Sequence, residues 1–401
     1  MLSISHCILY LSRLNMREID GVSNSFLEIG TLTTEEKMKV LMLNREDALS
    51  RPGGDTIQML STAKYLRRLG DQVDFHFGPP PFSLDYDLFH IFNLQTIETT
   101  LKQVDFIAQR KKRVALSPIW LDFNFDKRNW RHTFKYTQNK IVQLCSKISP
   151  GMGWQIYHVG KIFQNLDFSR KAKEVISKVD LILPNSFFEL ETISRYFKVN
   201  CECAVIPNGI DPEEFSEISI PINFPSNLEA FVLEVGTISP GKNQLKLLEA
   251  IPPEIPLVFC GPMYLDPNSR YSQSFLAAIQ SRANTYYLGK LSQAQLAFLY
   301  QKAKVHALPS TRETPGLVNL EAAFFGANIA TTIIGSAREY FGELAEYCDP
   351  YDNESIQKAV LRAYEKPRTE ELKKRVMENF TWEIAALRTA EAYQKILKKK
   401  K

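Results

Sequence analysis

The sequence is poor in cysteine and histidine, with six of each among 401 residues, and it lacks a long uninterrupted hydrophobic run. Its one close cysteine pair, Cys201 and Cys203, forms a C-x-C pattern with no second pair at zinc-binding spacing. These features exclude a disulfide scaffold and indicate reduced thiols in a cytosolic protein. No apolar run reaches the roughly 20 residues of a transmembrane helix. No signal peptide is expected, because the apolar patch Ile8–Leu11 is short and no basic segment precedes it.

The charge balance is also small, with a formal net charge of +4, so nucleic acid is not expected as a partner. The length predicts two domains, and the hydrophobic fraction of 44% is ordinary for a globular protein. One region departs from this average, because residues 127–178 contain eleven lysines and arginines but two acidic residues. Solvated helix faces over aromatic core residues explain this composition. Peripheral contact with an anionic membrane surface or an acidic acceptor explains it as well.

The first regular pattern begins after residues 1–37, which show no sustained period. They are predicted to be a disordered extension, and a short docking helix around Ile4–Leu14 is the alternative. Met38–Asn44 is predicted to be a buried strand, followed by Gly53, Gly54 and a helix, and then by the strand Gln72–Phe77. This order predicts a right-handed βαβ unit in a parallel sheet. The two glycines allow close approach of a phosphate or form a tight turn, and their pattern matches neither G-x-G-x-x-G nor a P-loop.

Two further strands in this half carry polar residues. His90 lies within one of them, and such a histidine is more often a satisfied core residue than a catalyst. Ser117 ends the next strand, but it lacks a nucleophile elbow, which argues against a serine hydrolase. Asn208 belongs to an Asn-Gly turn that follows a later strand.

A second α/β domain is predicted to begin near residue 230, after a linker rich in Pro, Ser and Ile. Its first strand ends at Gly236, and a loop leads through Thr237 and Lys242 to a helix from Gln244. A lysine just ahead of a helix N-terminus, beside backbone amides, is a plausible clamp for a diphosphate.

The most informative stretch follows the short apolar strand Val305–Leu308. Glu313 precedes a predicted helix that starts at Pro315, and Glu321 lies two turns further along. The helix is apolar around its axis and is expected to be largely buried, where an unpaired carboxylate is costly. Two carboxylates without metal-spaced His or Cys favour binding of ribose or sugar hydroxyls. The alternative is an acidic first turn and one partly exposed glutamate.

Together these segments resemble the retaining nucleotide-sugar glycosyltransferases of the GT-B fold, specifically family 4, the group 1 glycosyl transferases. The resemblance covers about Met38 to Leu397. Its most specific element is the E-x7-E motif of Glu313 and Glu321, which Ala322, Ala323 and Gly326 follow. The supporting matches, in the same chain order as the family, are Gly53-Gly54, Ile206–Asp211, Val235–Asn243 and Phe380-Thr381-Trp382.

The resemblance implies an α/β protein with two Rossmann-like domains whose parallel sheets face each other across a cleft. The N-terminal domain would hold most of the acceptor site, and the C-terminal domain would hold the nucleotide-sugar. The expected boundaries are 38–215 for the N-terminal domain, 216–229 for the linker, 230–380 for the C-terminal domain, and 381–401 for a helix that packs back toward the N-terminal domain.

The resemblance also assigns roles to individual residues. Lys242 would neutralise the diphosphate, Glu313 would face the donor sugar, and Glu321 would bind the ribose. The expected catalytic residues are Glu313 and Lys242, the donor-binding residues are Gly54, Thr237, Gly316, Leu317 and Glu321, and the acceptor or cleft residues are Asn208, His90 and Ser117. No metal and no cofactor are expected, and the donor would be a UDP- or GDP-linked sugar.

The implied activity is transfer of a sugar to a glycan or lipid-linked acceptor with retention of configuration, in polysaccharide biosynthesis. The expected location is the cytoplasm, with peripheral contact at the inner face of the membrane. Thr237 stands where many relatives carry an arginine, and no histidine follows Ser117-Pro118. These departures favour a catalytically weakened GT-B protein with a binding or regulatory role as an alternative. A GT-B epimerase or phosphorylase is a further alternative function. In addition, Thr314-Pro315 replaces the usual Gly-Phe of the family beside Glu313.

Overall fold

Hydrophobic strands alternate with helices through the residues that the computed structural model describes, which are 37–120, 166–225, 228–263 and 268–399. These residues form two six-stranded sheets, and neighbouring strands in both sheets run parallel. The predicted α/β class with two parallel-sheet domains is therefore confirmed.

The first sheet has the strand order β2-β1-β3-β4-β5-β6. Its strands are β1 (Lys39–Asn44), β2 (Gln72–Phe77), β3 (Leu88–Phe92), β4 (Arg113–Ser117), β5 (Leu181–Ile182) and β6 (Glu202–Cys203). The accompanying helices are α1 (Gly54–Arg68), α2 (Ile97–Ala108), α3, described over 166–178, and α4 (Phe187–Tyr196). The predicted βαβ opening is present as β1, α1 and β2, and α1 buries Met59 and Ala63 in the same core as Val40 of β1.

The second sheet has the order β12-β11-β10-β7-β8-β9. Its strands are β7 (Val232–Val235), β8 (Leu257–Cys260), β9 (Thr285–Tyr287), β10 (Val305–Leu308), β11 (Asn328–Thr332) and β12 (Glu346–Cys348). Its helices are α5 (Gln244–Ala250), α6 (Arg270–Ser281), α7 (Gln293–Lys302), α8 (Leu317–Phe324), α9 (Ala337–Phe341), α10 (Asn353–Glu365) and α11 (Glu371–Asn379). Strand order reverses between β7 and β10, and ligands of open α/β sheets bind beyond the carboxyl ends of the strands at such a point.

The chain ends with α12 (Trp382–Lys398), which belongs to the core of the first sheet rather than the second. Its buried face includes Ala386, Ala390 and Tyr393 at helical spacing, and these residues pack with Met59 and Ala63 of α1. The N-terminal domain is therefore completed by residues from the far end of the sequence.

The two chain crossings between the domains lie side by side. Ile210 donates its N–H to the Phe380 carbonyl (2.9 Å) and accepts from the Trp382 N–H (3.0 Å), which makes a short parallel bridge with Thr381. A Cβ added at Gly209 would lie 2.3 Å from the Thr381 carbonyl carbon. Glycine at this position is what allows the two crossings to approach so closely.

Candidate active site

Two loops meet at the point where strand order reverses. One follows β7 and covers residues 236–243, and the other follows β10 and covers 309–316. The Thr311 N–H donates to the Gly241 carbonyl (2.9 Å), and the Asn243 side-chain amide donates to the Pro309 carbonyl (2.9 Å). The loops are thus fixed to each other by bonds to the backbone, which keeps the side chains they carry in register.

The closest polar contact in this crevice joins the two residues predicted to be catalytic. Lys242 Nζ lies 2.6 Å from Glu313 Oε2, and their side chains are 28% and 12% exposed. The aliphatic part of Lys242 passes over Gly236, where an added Cβ would be in ordinary contact with it. A partly buried cation therefore stands beside a carboxylate, and solvent reaches both groups.

The backbone of Glu313 is held by the segment that follows β11. Its N–H donates to the Ile334 carbonyl (3.0 Å), and its carbonyl accepts from the Ser336 N–H (3.1 Å). Gly335 lies between them with φ +124°, and a Cβ there would lie 1.8 Å from the Glu313 carbonyl oxygen. This close pairing requires glycine at residue 335.

The helix that carries Glu321 begins later than the sequence predicted. α8 starts at Leu317, whereas Pro315 lies outside it, because Gly316 turns the chain with φ +81° at the N-cap. A Cβ at Gly316 would lie 2.9 Å from both the Asn319 amide nitrogen and Glu313 Cγ. The expected burial of α8 is confirmed, since each of its residues is buried or partly buried. Leu317 packs against the cores of both domains.

Glu321 and Glu313 have different surroundings. The Tyr300 hydroxyl of α7 donates to Glu321 Oε2 (2.7 Å). Burial raises the pKa of Glu321 to about 7, while this hydrogen bond lowers it. Glu321 thus has a protein partner and a pKa near neutrality, whereas Glu313 is paired with a cation.

Beneath α8 lies a buried polar network that the sequence did not reveal. The Val235 N–H donates to His306 Nε2 (3.3 Å), so the opposite ring nitrogen, Nδ1, donates to Asn319 Oδ1 (2.8 Å). The Asn319 amide in turn donates to the Thr331 hydroxyl (3.1 Å). Burial lowers the pKa of His306 to about 4, which keeps the ring neutral. The network joins β7, β10, α8 and β11, and a lone histidine within a strand gave no signal of it.

Glu234 is a further buried acid near this site, and the sequence did not predict a role for it. Glu234 of β7 is 2% exposed, and burial raises its pKa well above the ordinary value, against the opposing influence of Lys242 and Gln244. Burial therefore favours the neutral form of Glu234, whereas the Lys242 ammonium contacts Glu313. Its position within an apolar strand was the available signal.

The N-terminal domain presents Gly54 at the first position of α1. This residue is exposed, and a Cβ added there would meet no atom of the described residues within 4 Å. The preceding turn is braced by Asp55, which accepts from Arg45 Nε (2.9 Å) and from the Asn93 amide (3.2 Å). Arg45 and Asn93 follow β1 and β3, the two strands at the order reversal of this sheet, and neither was predicted to contribute.

Three residues predicted for the acceptor side are buried. His90 and Ser117, each 2% exposed, form a hydrogen-bonded chain in which His90 Nε2 lies 2.9 Å from Ser117 Oγ and Nδ1 lies 2.5 Å from the Tyr393 hydroxyl of α12. Burial lowers the pKa of His90 to about 3. These contacts attach α12 to the sheet, and an acceptor-side role for His90 and Ser117 stays a prediction. Asn208, 5% exposed, lies near the domain crossing, where its N–H donates to the Tyr340 hydroxyl (2.9 Å).

Thr237 contributes its backbone, because its carbonyl accepts from the Gln244 side-chain amide (3.1 Å). This bond closes the loop ahead of α5. The remaining predicted donor residues, Gly316 and Leu317, lie at the start of α8 next to Glu313. The structure therefore brings Lys242, Glu313, Gly316 and Leu317 together, whereas Glu321 lies one turn along α8 on its bond to Tyr300.

Residues 216–380 match the family model described as Glycosyl transferases group 1. The chain contains a group 1 glycosyl transferase domain. This domain holds the Lys242–Glu313 pair, and the match confirms the resemblance drawn from the E-x7-E motif.

Curated relatives agree with this assignment. The chain is 25% identical over 244 residues to O-antigen chain mannosyltransferase B of Escherichia coli, which covers 55% of this chain and 62% of that protein. It is 32% identical over 116 residues to glycogen synthase of Mycobacterium tuberculosis, which covers 27% of this chain and 28% of that protein. The matches thus span less than two thirds of either relative.

Solved structures show that the group 1 glycosyl transferase domain belongs to a GT-B fold. Sucrose-phosphate synthase from Thermosynechococcus elongatus superposes with a TM-score of 0.67 at 16% identity, covering 89% of this chain and 98% of that one. A glycosyltransferase from Rickettsia africae gives 0.62 at 14% identity, covering 91% and 100%. At such identities the likeness concerns the fold.

Within the described residues, no group of three or more His, Cys, Asp or Glu side chains could hold a metal ion. No helix in the same part of the chain is long and apolar enough to span a bilayer.

Most of the basic 127–178 region lies outside the described residues. In its described part, Lys171 pairs with Glu98 and Asp167, and Lys178 pairs with Asp105 and Glu174.

Proposed function

We propose that this glycosyltransferase moves a sugar from a UDP- or GDP-linked donor to a glycan or lipid-linked acceptor, with retention of anomeric configuration and without a metal ion. The observation that carries the proposal is the 2.6 Å contact between Lys242 Nζ and Glu313 Oε2 at the strand-order reversal of the matched domain. The named activities of the two curated relatives, a mannosyltransferase and a glycogen synthase, support transfer to a glycan.

In this proposal Lys242 stabilises the departing diphosphate. The bond between the anomeric carbon and the diphosphate oxygen breaks, so negative charge develops on the leaving group. A preorganised cation in a partly desolvated crevice stabilises that charge more effectively than water does. The backbone amides of Gly316 and Leu317 at the start of α8 add dipoles of the same sign. This arrangement supplies positive charge from the chain itself, which is the basis for proposing independence from a metal.

Retention of the anomeric configuration follows from the front-face attack that the family resemblance suggests. The acceptor oxygen attacks the anomeric carbon on the face that the diphosphate leaves, and the diphosphate oxygen takes the acceptor proton. Glu313 faces the donor sugar in this scheme, and its contact with Lys242 is exchanged for contacts with the substrate when the donor binds. Glu321 accepts hydrogen bonds from the ribose hydroxyls, and the chain provides no covalent nucleophile.

The opposite wall of the site is proposed to be the start of α1. Gly54 leaves open space there, which suits close approach of a phosphate to the helix N-terminus. Thr237 is proposed to contact the donor from the loop after β7. Asn208 is proposed for the acceptor side, because its buried side-chain oxygen has no hydrogen-bond partner among the described residues. Peripheral membrane contact through residues 127–178 is part of the same proposal.

The deciding experiment measures acceptor-dependent release of nucleoside diphosphate with a panel of UDP- and GDP-sugars, chosen beforehand by thermal shift because donor binding raises the melting temperature. Lys242→Ala and Glu313→Gln should each lower kcat/KM by about 10²–10³, as the loss of one charge-stabilising group does. Lys246→Ala is the matched control, because Lys246 lies in α5 and its ammonium donates to the Asn353 side chain.

Four outcomes separate the proposed function from its alternatives. Product with the donor's anomeric configuration, formed equally in the presence of a chelator, supports the proposal. An isomerised sugar formed without acceptor indicates an epimerase, and a sugar phosphate formed with inorganic phosphate indicates a phosphorylase. Nucleotide binding without turnover of any donor indicates a binding or regulatory protein and contradicts the transferase.

A further inference from the structure

The short helix α9 connects the candidate active site to the other domain. It belongs to the C-terminal domain, where Arg375 of α11 donates to the carbonyls of Tyr340 (2.6 Å) and Glu339 (3.1 Å). Phe341 of the same helix is fully buried in the core of this domain. α9 is therefore fixed to the C-terminal domain at its carboxyl end.

The side chain of Glu339 reaches across to the N-terminal domain. Its two oxygens accept the backbone N–H groups of Phe187 (2.8 Å) and Phe188 (2.6 Å), the first two residues of α4. The third amide of α4, at Glu189, donates to the Ser186 hydroxyl (3.0 Å). The amides at a helix start have no partner within the helix, and a carboxylate is favoured there by the helix dipole. Two of these three partners are thus supplied by the opposite domain.

The neighbouring residue makes a second contact of the same kind. The Tyr340 hydroxyl accepts from the Asn208 N–H (2.9 Å) and donates to the Asn185 carbonyl (2.6 Å). The Tyr340 side chain is 1% exposed, so this contact is shielded from water. Consecutive residues of α9 therefore bind backbone groups of the N-terminal domain directly.

The other end of α9 leads to Glu313. Ser336 comes immediately before α9, and its N–H donates to the Glu313 carbonyl (3.1 Å), while the Ile334 carbonyl accepts the Glu313 N–H (3.0 Å). Gly335 lies between them, so close to Glu313 that an added Cβ would lie 1.8 Å from the Glu313 carbonyl oxygen. Only Ala337 and Arg338 separate Ser336 from Glu339. A displacement of α9 is thus transmitted to the Glu313 backbone through two hydrogen bonds.

We infer that Glu339 is a positioning residue for sugar transfer: by binding the start of α4, it holds α9, and through residues 334–336 it holds Glu313 in its reactive place when the domains are apposed. The inference rests on the proposed function. It adds that the placement of the sugar-facing carboxylate depends on contact between the domains, whereas the nucleotide contacts at Lys242 and Glu321 do not depend on it.

The test compares Glu339→Ala, Glu339→Gln and Glu343→Ala. Glutamine keeps one acceptor oxygen for an α4 amide, while the exposed Glu343, four residues along, is a matched acidic control. Turnover with the best donor, the affinity for the nucleoside diphosphate and the melting temperature are measured for each variant. We expect Glu339→Ala to lower kcat at least tenfold while nucleoside-diphosphate affinity stays within twofold, Glu339→Gln to be intermediate, and Glu343→Ala to match the wild type.

The outcomes distinguish this inference from the proposed function. Wild-type protein without turnover of any donor overturns both. Wild-type turnover together with normal kcat in Glu339→Ala overturns the inference alone. If Glu339→Ala does not fold, Glu339→Gln decides, because a loss confined to the melting temperature, or an equal loss of kcat and nucleotide affinity, indicates a purely structural role and contradicts positioning.

Discussion

The Tyr300 hydroxyl donates a 2.7 Å hydrogen bond to Glu321, the second glutamate of the E-x7-E motif. Tyr300 is fully buried on α7, and it fixes the carboxylate from the side of the protein core. Burial raises the pKa of Glu321 to about 7, and the bond from Tyr300 opposes that rise. The ionised fraction of Glu321 near neutral pH therefore depends on a residue 21 positions away in sequence.

Tyr300→Phe should weaken nucleoside-diphosphate binding, because it removes the bond that favours the charged form and raises the pKa of Glu321 further. The expected loss is about three- to tenfold at pH 7, which corresponds to a typical net hydrogen-bond contribution of roughly 0.7–1.4 kcal/mol. The loss should shrink at pH 8.5, where the carboxylate is ionised in both proteins. Calorimetric titration at the two pH values measures this, with Tyr364→Phe on α10 as the control. Equal affinities at pH 7 would contradict the role given to Glu321.

The buried Glu189 of α4 predicts how stability changes with pH. It accepts the backbone N–H groups of Trp120 and Asn185, and burial raises its pKa from 4.5 to about 7. The folded chain therefore keeps a proton that the unfolded chain releases between these values. The free energy of unfolding falls as pH rises through this window, by about 1.4 kcal/mol per pH unit for this group alone.

Glu189→Gln removes this titration. The difference in unfolding free energy between wild type and Glu189→Gln should change by up to about 3 kcal/mol between pH 4.5 and pH 7.5, in favour of the variant at the higher pH. Denaturant titrations at several pH values measure the difference. Glu191→Gln, on the exposed face of the same helix, should give a curve parallel to the wild type. Parallel curves for Glu189→Gln would show that Glu189 has an ordinary pKa in the folded chain.

Local patterns in the sequence predicted the parts of the fold that depend on neighbours in sequence. The apolar run before Asn44 and the glycines after it predicted β1 and α1, and the spacing of Glu313 and Glu321 indicated the candidate site. The network of His306 and Asn319 could not be predicted, because it depends on how β10 and α8 pack.

Contacts between distant residues also escaped prediction for a physical reason. Glu339 binds the N–H of Phe187 from 152 positions away, and a carboxylate on a short helix looks like any solvated acid in sequence. Likewise α6 and α11 were not predicted, because each helix buries few residues: Tyr271, Ser272 and Phe275 in α6, and Leu372 and Val376 in α11. The start of α8 was misplaced because Pro315 suits a first helical position, whereas the left-handed turn at Gly316 sets the true start.

The buried chain of Ser117, His90 and Tyr393 should affect stability and not acceptor use. Tyr393→Phe leaves a ring nitrogen of His90 without a partner, which should cost about 1–3 kcal/mol. The Michaelis constant for the acceptor should stay unchanged, because none of these side chains reaches solvent. Thermal melts and initial rates measure the two effects, and Ser117→Ala should behave in the same way. If Tyr393→Phe raised the acceptor Michaelis constant without changing the melting temperature, the result would contradict this expectation and support an acceptor-side role for His90.

Gly54 and Gly209 should respond to alanine in opposite ways. At Gly54 an added methyl group meets no protein atom within 4 Å, and alanine is favoured over glycine in a helix by about 0.5–1 kcal/mol. Gly54→Ala should therefore keep or raise the melting temperature. If a donor phosphate approaches the start of α1, the same methyl group occupies its space, and the donor Michaelis constant should rise about tenfold, as for a lost interaction of roughly 1.4 kcal/mol.

At Gly209 the methyl group would meet backbone atoms of Thr381 and Trp382 at 2.3 Å and 2.5 Å, and these atoms are held by the bridge at Ile210. Gly209→Ala should therefore lower the melting temperature clearly. Because one variant crowds a ligand and the other crowds the protein, thermal melts and donor titrations on both separate the two causes. A Gly54→Ala variant with wild-type turnover and donor Michaelis constant would mean that the open space at α1 is not a donor contact, and the opposite wall of the site would have to lie elsewhere.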